Sequence, residues 1–234
     1  MRLKTVFAVL IICVAGSAFA ASKPSVAVKE FVNDTSANWW YGGAGRDLAD
    51  MLTAEMASTG SFKMVEREKL ASVLDEQDLA DSGRISKKTG AQIGKLTGAK
   101  YIVTGSLSAF ETDVKGTGGG VSFRGINLGG KKEDAYLAVD LRVIDTTTGE
   151  IEFSRTVEAR ASGGGLDVGL YRGGFGGNLS KYEKTPTGKA IRAVIMEISE
   201  YLACAMVEQG DCLDEYQAKE SSRREKTKKS IKLD

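Results

Sequence analysis

Ala135-Tyr136-Leu137-Ala138-Val139-Asp140-Leu141-Arg142-Val143-Ile144-Asp145 alternates along its length. Leu137, Val139, Leu141 and Val143 fall on one side of an extended chain, and Tyr136, Ala138, Asp140 and Arg142 on the other. A period of two is the mark of a strand with one buried face. Thr146-Thr147-Thr148-Gly149 follows as a turn, and residues 151–160 alternate again. The two runs therefore pair as a hairpin. Upstream, Tyr101-Ile102-Val103-Thr104-Gly105-Ser106-Leu107 reads as a further strand, with strand character continuing to Val114.

Outward from this sheet, the first half of the chain alternates strand and helix. Val26 and Val28 alternate with Ala27 and Lys29 in a first strand. A polar and aromatic loop over 33–45 leads to a helix over 46–58, with Leu48, Met51, Leu52 and Met56 on one face. A second strand is predicted over 62–66 and a second helix over 67–77, with Leu70, Val73 and Leu74 inward. A short helix over 89–97 carries Ile93 and Leu96 and stops at Gly98. A long helix beginning near Thr187 closes the domain, with Ile191, Val194, Ile195, Ile198, Leu202, Ala205 and Met206 on one face. The pattern predicts an α/β domain, a three-layer-like sandwich.

Two stretches depart from an ordinary domain. Residues 116–130 hold seven glycines and residues 163–177 eight, together 15 of the 28 in the chain. The first carries Val121, Phe123, Ile126 and Leu128; the second carries Leu166, Val168 and Leu170 alternating with Asp167, Gly169 and Tyr171. Apolar and small residues alternating, with glycines and aromatics, are the weak signature of a transmembrane strand. Each stretch reads as the far end of a long β-hairpin, or else as a glycine-rich surface loop. If the hairpins enter lipid, two of them supply four strands. Four strands cannot close a barrel, which needs about eight, and an open edge in lipid leaves backbone groups unpaired. Several copies would then have to share one barrel.

The N-terminus reads as a secretory leader. Arg2 and Lys4 precede an apolar run over 6–15, and Ala18-Phe19-Ala20 supplies small residues at both positions a signal peptidase reads. The mature chain is expected to begin at Ala21. Cys13 follows the bulky Ile12 inside the apolar run and reads as filler rather than a lipidation site. Removing Arg2 and Lys4 from 32 basic and 31 acidic residues leaves a net charge of −1, so no global pull towards nucleic acid follows. Cys204 and Cys212 could pair in an oxidising periplasm or remain buried thiols. Residues 219–234 hold seven basic and three acidic side chains and read as a mobile, solvated tail.

The chain has no histidine. That removes Ser-His-Asp and Cys-His nucleophile systems and most catalytic zinc sites. Gly43-Ala44-Gly45-Arg46-Asp47-Leu48 has a lone G-x-G, a weak signal for dinucleotide binding. Asp75, Glu76 and Asp78 read as a solvated helix end. The expectation is a protein that is no enzyme, with no cofactor and no metal ligands.

Three motifs, in order and spacing, resemble the CsgG family of curli secretion channels and their relatives. They are Met64-Val65-Glu66-Arg67-Glu68-Lys69-Leu70 leading to Leu74-Asp75-Glu76-Gln77; Gly98-Ala99-Lys100-Tyr101-Ile102-Val103-Thr104-Gly105-Ser106-Leu107 leading to Phe110-Glu111; and Val139-Asp140-Leu141-Arg142-Val143-Ile144-Asp145 with Thr148-Gly149-Glu150-Ile151. The resemblance covers residues 24 to about 210. It implies a homo-oligomeric ring, nine-fold in the curli case, spanning the outer membrane with four strands per subunit above a periplasmic α/β domain. It also implies ATP-independent passage of unfolded amyloid-like or adhesin subunits with the help of accessory proteins. A loop after the first strand narrows the channel in the family, using aromatic and amide side chains. By position, Asn38, Trp39, Trp40 and Tyr41 are the constriction candidates here, with core or interface packing as the other reading of the two tryptophans.

The implied organisation is a leader at 1–20 and the first part of the α/β domain at 21–110. A membrane hairpin at 111–135, returning sheet strands at 136–160 and a second membrane hairpin at 161–184 follow. The closing helix at 185–212 and the basic tail at 213–234 complete the chain. The curli channel is a lipoprotein, whereas the A-x-A ending predicts a chain without that anchor. The other reading of the whole is a soluble periplasmic module that binds a partner or oligomerises without forming a pore.

Overall fold

The computed structural model describes residues 22–116, 121–123, 126–128, 131–162, 177–182 and 184–231. The leader and Leu166, Val168 and Leu170 of the second glycine-rich stretch lie outside the described residues. The elements are β1 (Ser25–Val28), β2 (Val32–Asn33), α1 (Ala44–Thr59), β3 (Lys63–Met64), α2 (Leu70–Asp81), β4 (Tyr101–Gly116), β5 (Val121–Phe123), β6 (Ile126–Leu128), β7 (Lys131–Asp145) and β8 (Ile151–Ser162). A 3-10 helix (Gly177–Tyr182), α3 (Pro186–Ala203), a π-helical turn (Cys204–Glu208) and α4 (Cys212–Ser230) complete the chain.

One mixed sheet runs in the order β3-β1-β4-β7-β8, with β2 also on β4. β1 is parallel to β3 and β4, whereas β4, β7 and β8 form an antiparallel meander. The period-two face of β7 is the centre of the core: Leu141 and Val143 are fully buried, and Leu137 and Val139 nearly so. Burying side chains of this size stabilises by about 1.5–3 kcal/mol each.

α1 begins at Gly43, whose φ of 112° suits glycine, and ends at Gly60 with φ 69°, whose N–H donates to Ala57 O at 3.2 Å. This is the glycine stop that helix C-termini favour. α3 begins on Thr185, whose Oγ1 accepts from the Gly188 N–H at 3.1 Å, with Pro186 at the first helical position. Both features satisfy or remove donors that a helix start leaves orphaned. Ile191, Val194, Ile195, Ile198 and Leu202 are buried along its inner stripe.

α1 and α3 pack side by side, α1 against β1 and β3, α3 against β7 and β8. They form a single helical layer on one face of the sheet. The expected three-layer arrangement is thus corrected among the described residues, because α2 does not supply a second layer. α2 is helical, but Val73 and Leu74 are 37% and 42% exposed, and the buried residue of the helix is Gln77. Its start is pinned instead: Glu66 Oε1 accepts from the Glu68 and Lys69 N–H groups at 2.8 and 3.0 Å, and Lys69 Nζ meets Asp50 at 2.8 Å.

Residues 89–97 do not form the expected helix. Gly94 sits at φ 76°, and Ile93 and Leu96 are exposed, so no burial offsets the low helix propensity of a stretch broken by Gly90 and Gly94. The basic tail is a second correction. Residues 212–230 form a helix, supported by Arg223 and Arg224 on Glu220 at i,i+3 and i,i+4, spacings that stabilise an exposed helix.

Candidate functional site

The meander does not end where the core ends. The deepest residues of β7 run from Val143 to Ala135, yet β4 and β7 stay paired through Asp113↔Asp134, Val114↔Glu133, Lys115↔Lys132 and Gly116↔Lys131. A ladder from Tyr101↔Asp145 to Gly116↔Lys131 extends about 50 Å at 3.3 Å per residue. One register shift, between Leu107 and Ala109, interrupts it; such a bulge increases local twist. Beyond the ladder, β5 and β6 pair with Val121↔Leu128 and Phe123↔Ile126. The first set of apolar hairpin residues is thereby brought into register as two cross-strand pairs.

The two sides of this ribbon differ. β1 covers the outer side of β4 at Val26↔Tyr101 to Val28↔Val103, and β2 covers it at Ser106 and Leu107. Among the described residues no strand pairs that side from Ser108 onward, and none pairs the outer side of β8.

The aromatic loop is ordered by its own short polar side chains. Asn33 Oδ1 accepts from the Thr35 N–H at 3.0 Å and hydroxyl at 2.7 Å, and Thr35 Oγ1 accepts from the Ala37 N–H at 3.1 Å. The loop then folds inward. Trp39 is 2% exposed and meets Phe110 edge-on with ring centroids 5.9 Å apart, while Trp40 tilts against it at 5.4 Å. Trp39 is therefore a core residue of this chain, which corrects its assignment as a constriction side chain. Its indole packs on Phe110 of β4, and an aromatic buried this completely contributes mainly through packing.

Trp40 and Tyr41 are half-buried, and the Tyr41 hydroxyl hydrogen-bonds the Asp47 carboxylate. Asn38 is exposed. The glycines beside the loop serve close approach rather than a bound phosphate. A Cβ at Gly45 would stand 2.1 Å from Phe31 O, and one at Gly105 would stand 2.3 Å from Phe31 Cε1. Phe31 and Phe110, which carry no site signal in the sequence, pack against Gly105 and Trp39.

A third cluster lies where α3, α4 and β8 meet. Cys204 and Cys212 are joined by a disulfide, with Cα atoms 6.0 Å apart. Arg155 of β8 lies 4.9 Å from the ring centres of both Tyr201 and Tyr216, and its Nη1 donates to Tyr216 O at 3.1 Å. Burial, followed by the negative charge of Glu197 and Glu200, pushes the Tyr216 hydroxyl up to about 12. Hydrogen bonds from Arg223, then Arg224, bring Glu220 down to about 2 despite partial burial. The sequence signal for this cluster was Tyr216 itself, an isolated aromatic in an otherwise polar run.

Fold and ribbon together define a mixed α/β single-sheet protein whose antiparallel strands grow out of the domain into a glycine-rich hairpin. The sequence matches the family model described as "Curli production assembly/transport component CsgG" over residues 11–231. The chain belongs to the CsgG family. It is similar to the curli production assembly/transport component CsgG of Salmonella typhimurium, with 27% identity over 126 residues, covering 52% of this chain and 46% of that protein. The CsgG of Escherichia coli matches to the same extent. The matched region thus spans about half the length of these curated relatives. Among solved structures, the hypothetical protein CT253 from Chlamydia trachomatis superposes with a TM-score of 0.48 at 13% identity, over 79% of this chain and 98% of that one. A PelC dodecamer from Paraburkholderia phytofirmans superposes at 0.35 and 14% identity, over 76% and 86%. Membership rests on the family match rather than on these superpositions.

Proposed function

We propose that this chain is one subunit of a CsgG-like ring in the outer membrane that lets unfolded amyloid-like or adhesin subunits diffuse out without ATP, and that it carries no catalytic activity. The carrying observation is the β4–β7 ladder that continues past the buried core. Strands of 16 and 15 residues are far longer than the usual five or six. Among the described residues, the buried positions of β7 stop at Ala135 while the ladder goes on to Lys131. The charged positions at the ladder's end, Asp113, Lys115, Lys131, Lys132, Glu133 and Asp134, give way to a stretch over 116–130 with Arg124 as its single charge. Charge followed by a glycine-rich hairpin with one charge in fifteen residues suits a strand pair leaving water for lipid. The second glycine-rich stretch would supply the other two strands, and the ring follows from the need to pair every edge.

Proteins of this kind would sit with the α/β domain in the periplasm, meeting the exported chain and accessory proteins there. The side chain of the aromatic loop best suited to the lumen is Asn38, supported by Trp40 and Tyr41, with Trp39 holding the loop from behind.

Cell fractionation tests the proposal. The mature protein is expected in outer membranes as a ring that resists SDS until heated. Release with the soluble periplasmic fraction, and no such ring, would replace this reading with that of a soluble periplasmic module. In reconstituted rings, Asn38→Ala combined with Trp40→Ala is expected to raise single-channel conductance. An unchanged conductance would move the loop away from the lumen.

A further inference from the structure

We propose that the C-terminal end of α4 is a contact for anionic phospholipid headgroups on the periplasmic face of the membrane. The inference rests on the membrane placement proposed above and adds a partner to it, a lipid surface of negative charge.

Direction carries the first part. Tyr201 of α3 meets Tyr216 with ring centroids 5.2 Å apart, and Glu197 meets Lys219 at 3.1 Å. A step back along α3 is thus a step forward along α4, and the two helices are antiparallel. On β8, Arg155 Nη1 donates to Tyr216 O at 3.1 Å, and Glu158 pairs with Arg223 at 3.7 Å. Thr156 and Glu158 also share a cavity with Lys219 and Arg223. α4 therefore advances in the direction of β8. β8 ends at Ser162, just before the second glycine-rich stretch, and α3 starts at Pro186, after it. Both neighbours agree: the C-terminal end of α4 points to the side of the domain that carries the proposed membrane hairpins. From Arg223 to Ser230 is about 10 Å of helix, against about 13 Å of strand from Glu158 to Ser162. The end of α4 thus comes within a Debye length, about 8–10 Å, of the height at which Asp134 pairs with Ser162. That height is where the charged ladder gives way to the glycine-rich hairpin.

Charge carries the second part. Residues 211–220 hold four acidic side chains and one basic, whereas residues 223–230 hold five basic and one acidic. Glu220 engages Arg223 and Arg224, and Glu225 engages Lys229. Lys226 and Lys228 are exposed, and neither pairs with an acidic group among the described residues. Cations in a last turn suit the helix dipole, but that effect does not account for a basic run that begins at Arg223. The ladder's end shows no such excess, with three basic and three acidic side chains among 113, 115 and 131–134. The turn before α3 adds Lys181 and Lys184, both exposed, on either side of Glu183. Excess positive charge at this height therefore sits on the helices. Ile231, 49% exposed, follows the basic run of α4. An apolar tip beyond a collar of lysines suits a membrane interface, where lysine stems lie along apolar surface and their ammonium groups stay among polar heads. Each basic side chain close to an anionic leaflet strengthens binding about fivefold.

The test uses the mature full chain with limiting phosphatidylcholine vesicles, with and without phosphatidylglycerol. Total binding is read by flotation, and membrane insertion separately by resistance to alkaline carbonate. Three chains are compared: the unsubstituted protein, Lys226→Gln with Lys228→Gln and Lys229→Gln, and a control with Lys87→Gln, Lys88→Gln and Lys95→Gln. The control removes the same charge from exposed positions outside α4. Phosphatidylglycerol is expected to raise flotation of the unsubstituted chain and the control by at least about tenfold at low salt. The α4 variant is expected to lose most of that gain. Flotation that ignores phosphatidylglycerol, or an equal gain in all three chains, or an equal loss in variant and control, overturns the headgroup contact whatever carbonate shows. Flotation that keeps the expected pattern but is fully released by carbonate supports the contact and overturns the membrane-spanning reading instead.

Discussion

α3 and α4 are consecutive helices of 18 and 19 residues, joined through one disulfide, and they are held in the fold by different physics. α3 has an apolar stripe at helical spacing and buries it on β7 and β8. α4 has almost no stripe. It is a helix because Lys, Arg, Glu, Gln and Ala favour one, and because Glu220 organises Arg223 and Arg224. One aromatic anchor and a covalent hinge then place it. The difference teaches that being helical and being docked are separate properties. The first can be local; the second needs buried area.

The largest effect expected from breaking this contrast lies in α3. Ile198→Ala or Leu202→Ala removes a fully buried side chain and should cost about 2–5 kcal/mol, read as a lower denaturant midpoint for the whole domain. Should either variant unfold at the wild-type midpoint, α3 is not the core helix described here. Next is the hinge. Reducing Cys204–Cys212, or replacing both with Ser, opens an eight-residue loop, worth about 2–3 kcal/mol in the chain-entropy view. Trypsin should then cut at Arg223 and Arg224 well before the sheet unfolds.

A smaller effect follows from pH. Glu220 has its carboxyl lowered from 4.5 to about 2, so its contribution is present above the unfolded value and is lost as pH falls from about 4.5 towards 2. Tyr216 is raised from 10.0 to about 12, so its contribution is present below 10 and lost as pH rises towards 12. Tyr216 fluorescence and amide exchange in α4 should change across both windows while exchange in α3 does not; parallel changes in α3 would erase the distinction. The smallest effect is Lys219→Ala. It breaks an exposed pair with Glu197 and should shift stability by less than about 1 kcal/mol.

The central meander was legible because its signal is local. Leu137, Val139, Leu141 and Val143 declare a buried face within seven residues, and the Thr-rich turn at 146–149 fixes the hairpin. α1 and α3 were legible from their stripes. Trp39 was misjudged for a physical reason. Its place in the loop after the first strand points to the constriction, but Gly43 starts α1 and Gly45 admits Phe31, and the loop folds inward. α4 is not legible from periodicity because its run carries no apolar stripe; its order rests on i,i+3 and i,i+4 charge pairs around Glu220. Residues 89–97 erred the other way, since two apolar side chains do not stabilise a helix that buries neither.

By itself, the sequence determined the strands of the meander, the two stripe-bearing helices and the family, because periodicity, composition and motif spacing are properties of neighbouring residues. The tertiary structure alone decided that the helical layer is single, that Trp39 belongs to the core, and that α4 lies against β8. Each of these depends on which distant surface is left to be covered, and that is set only when Arg155, Tyr201 and Tyr216, or Phe31 and Gly105, are brought together from far apart in the chain.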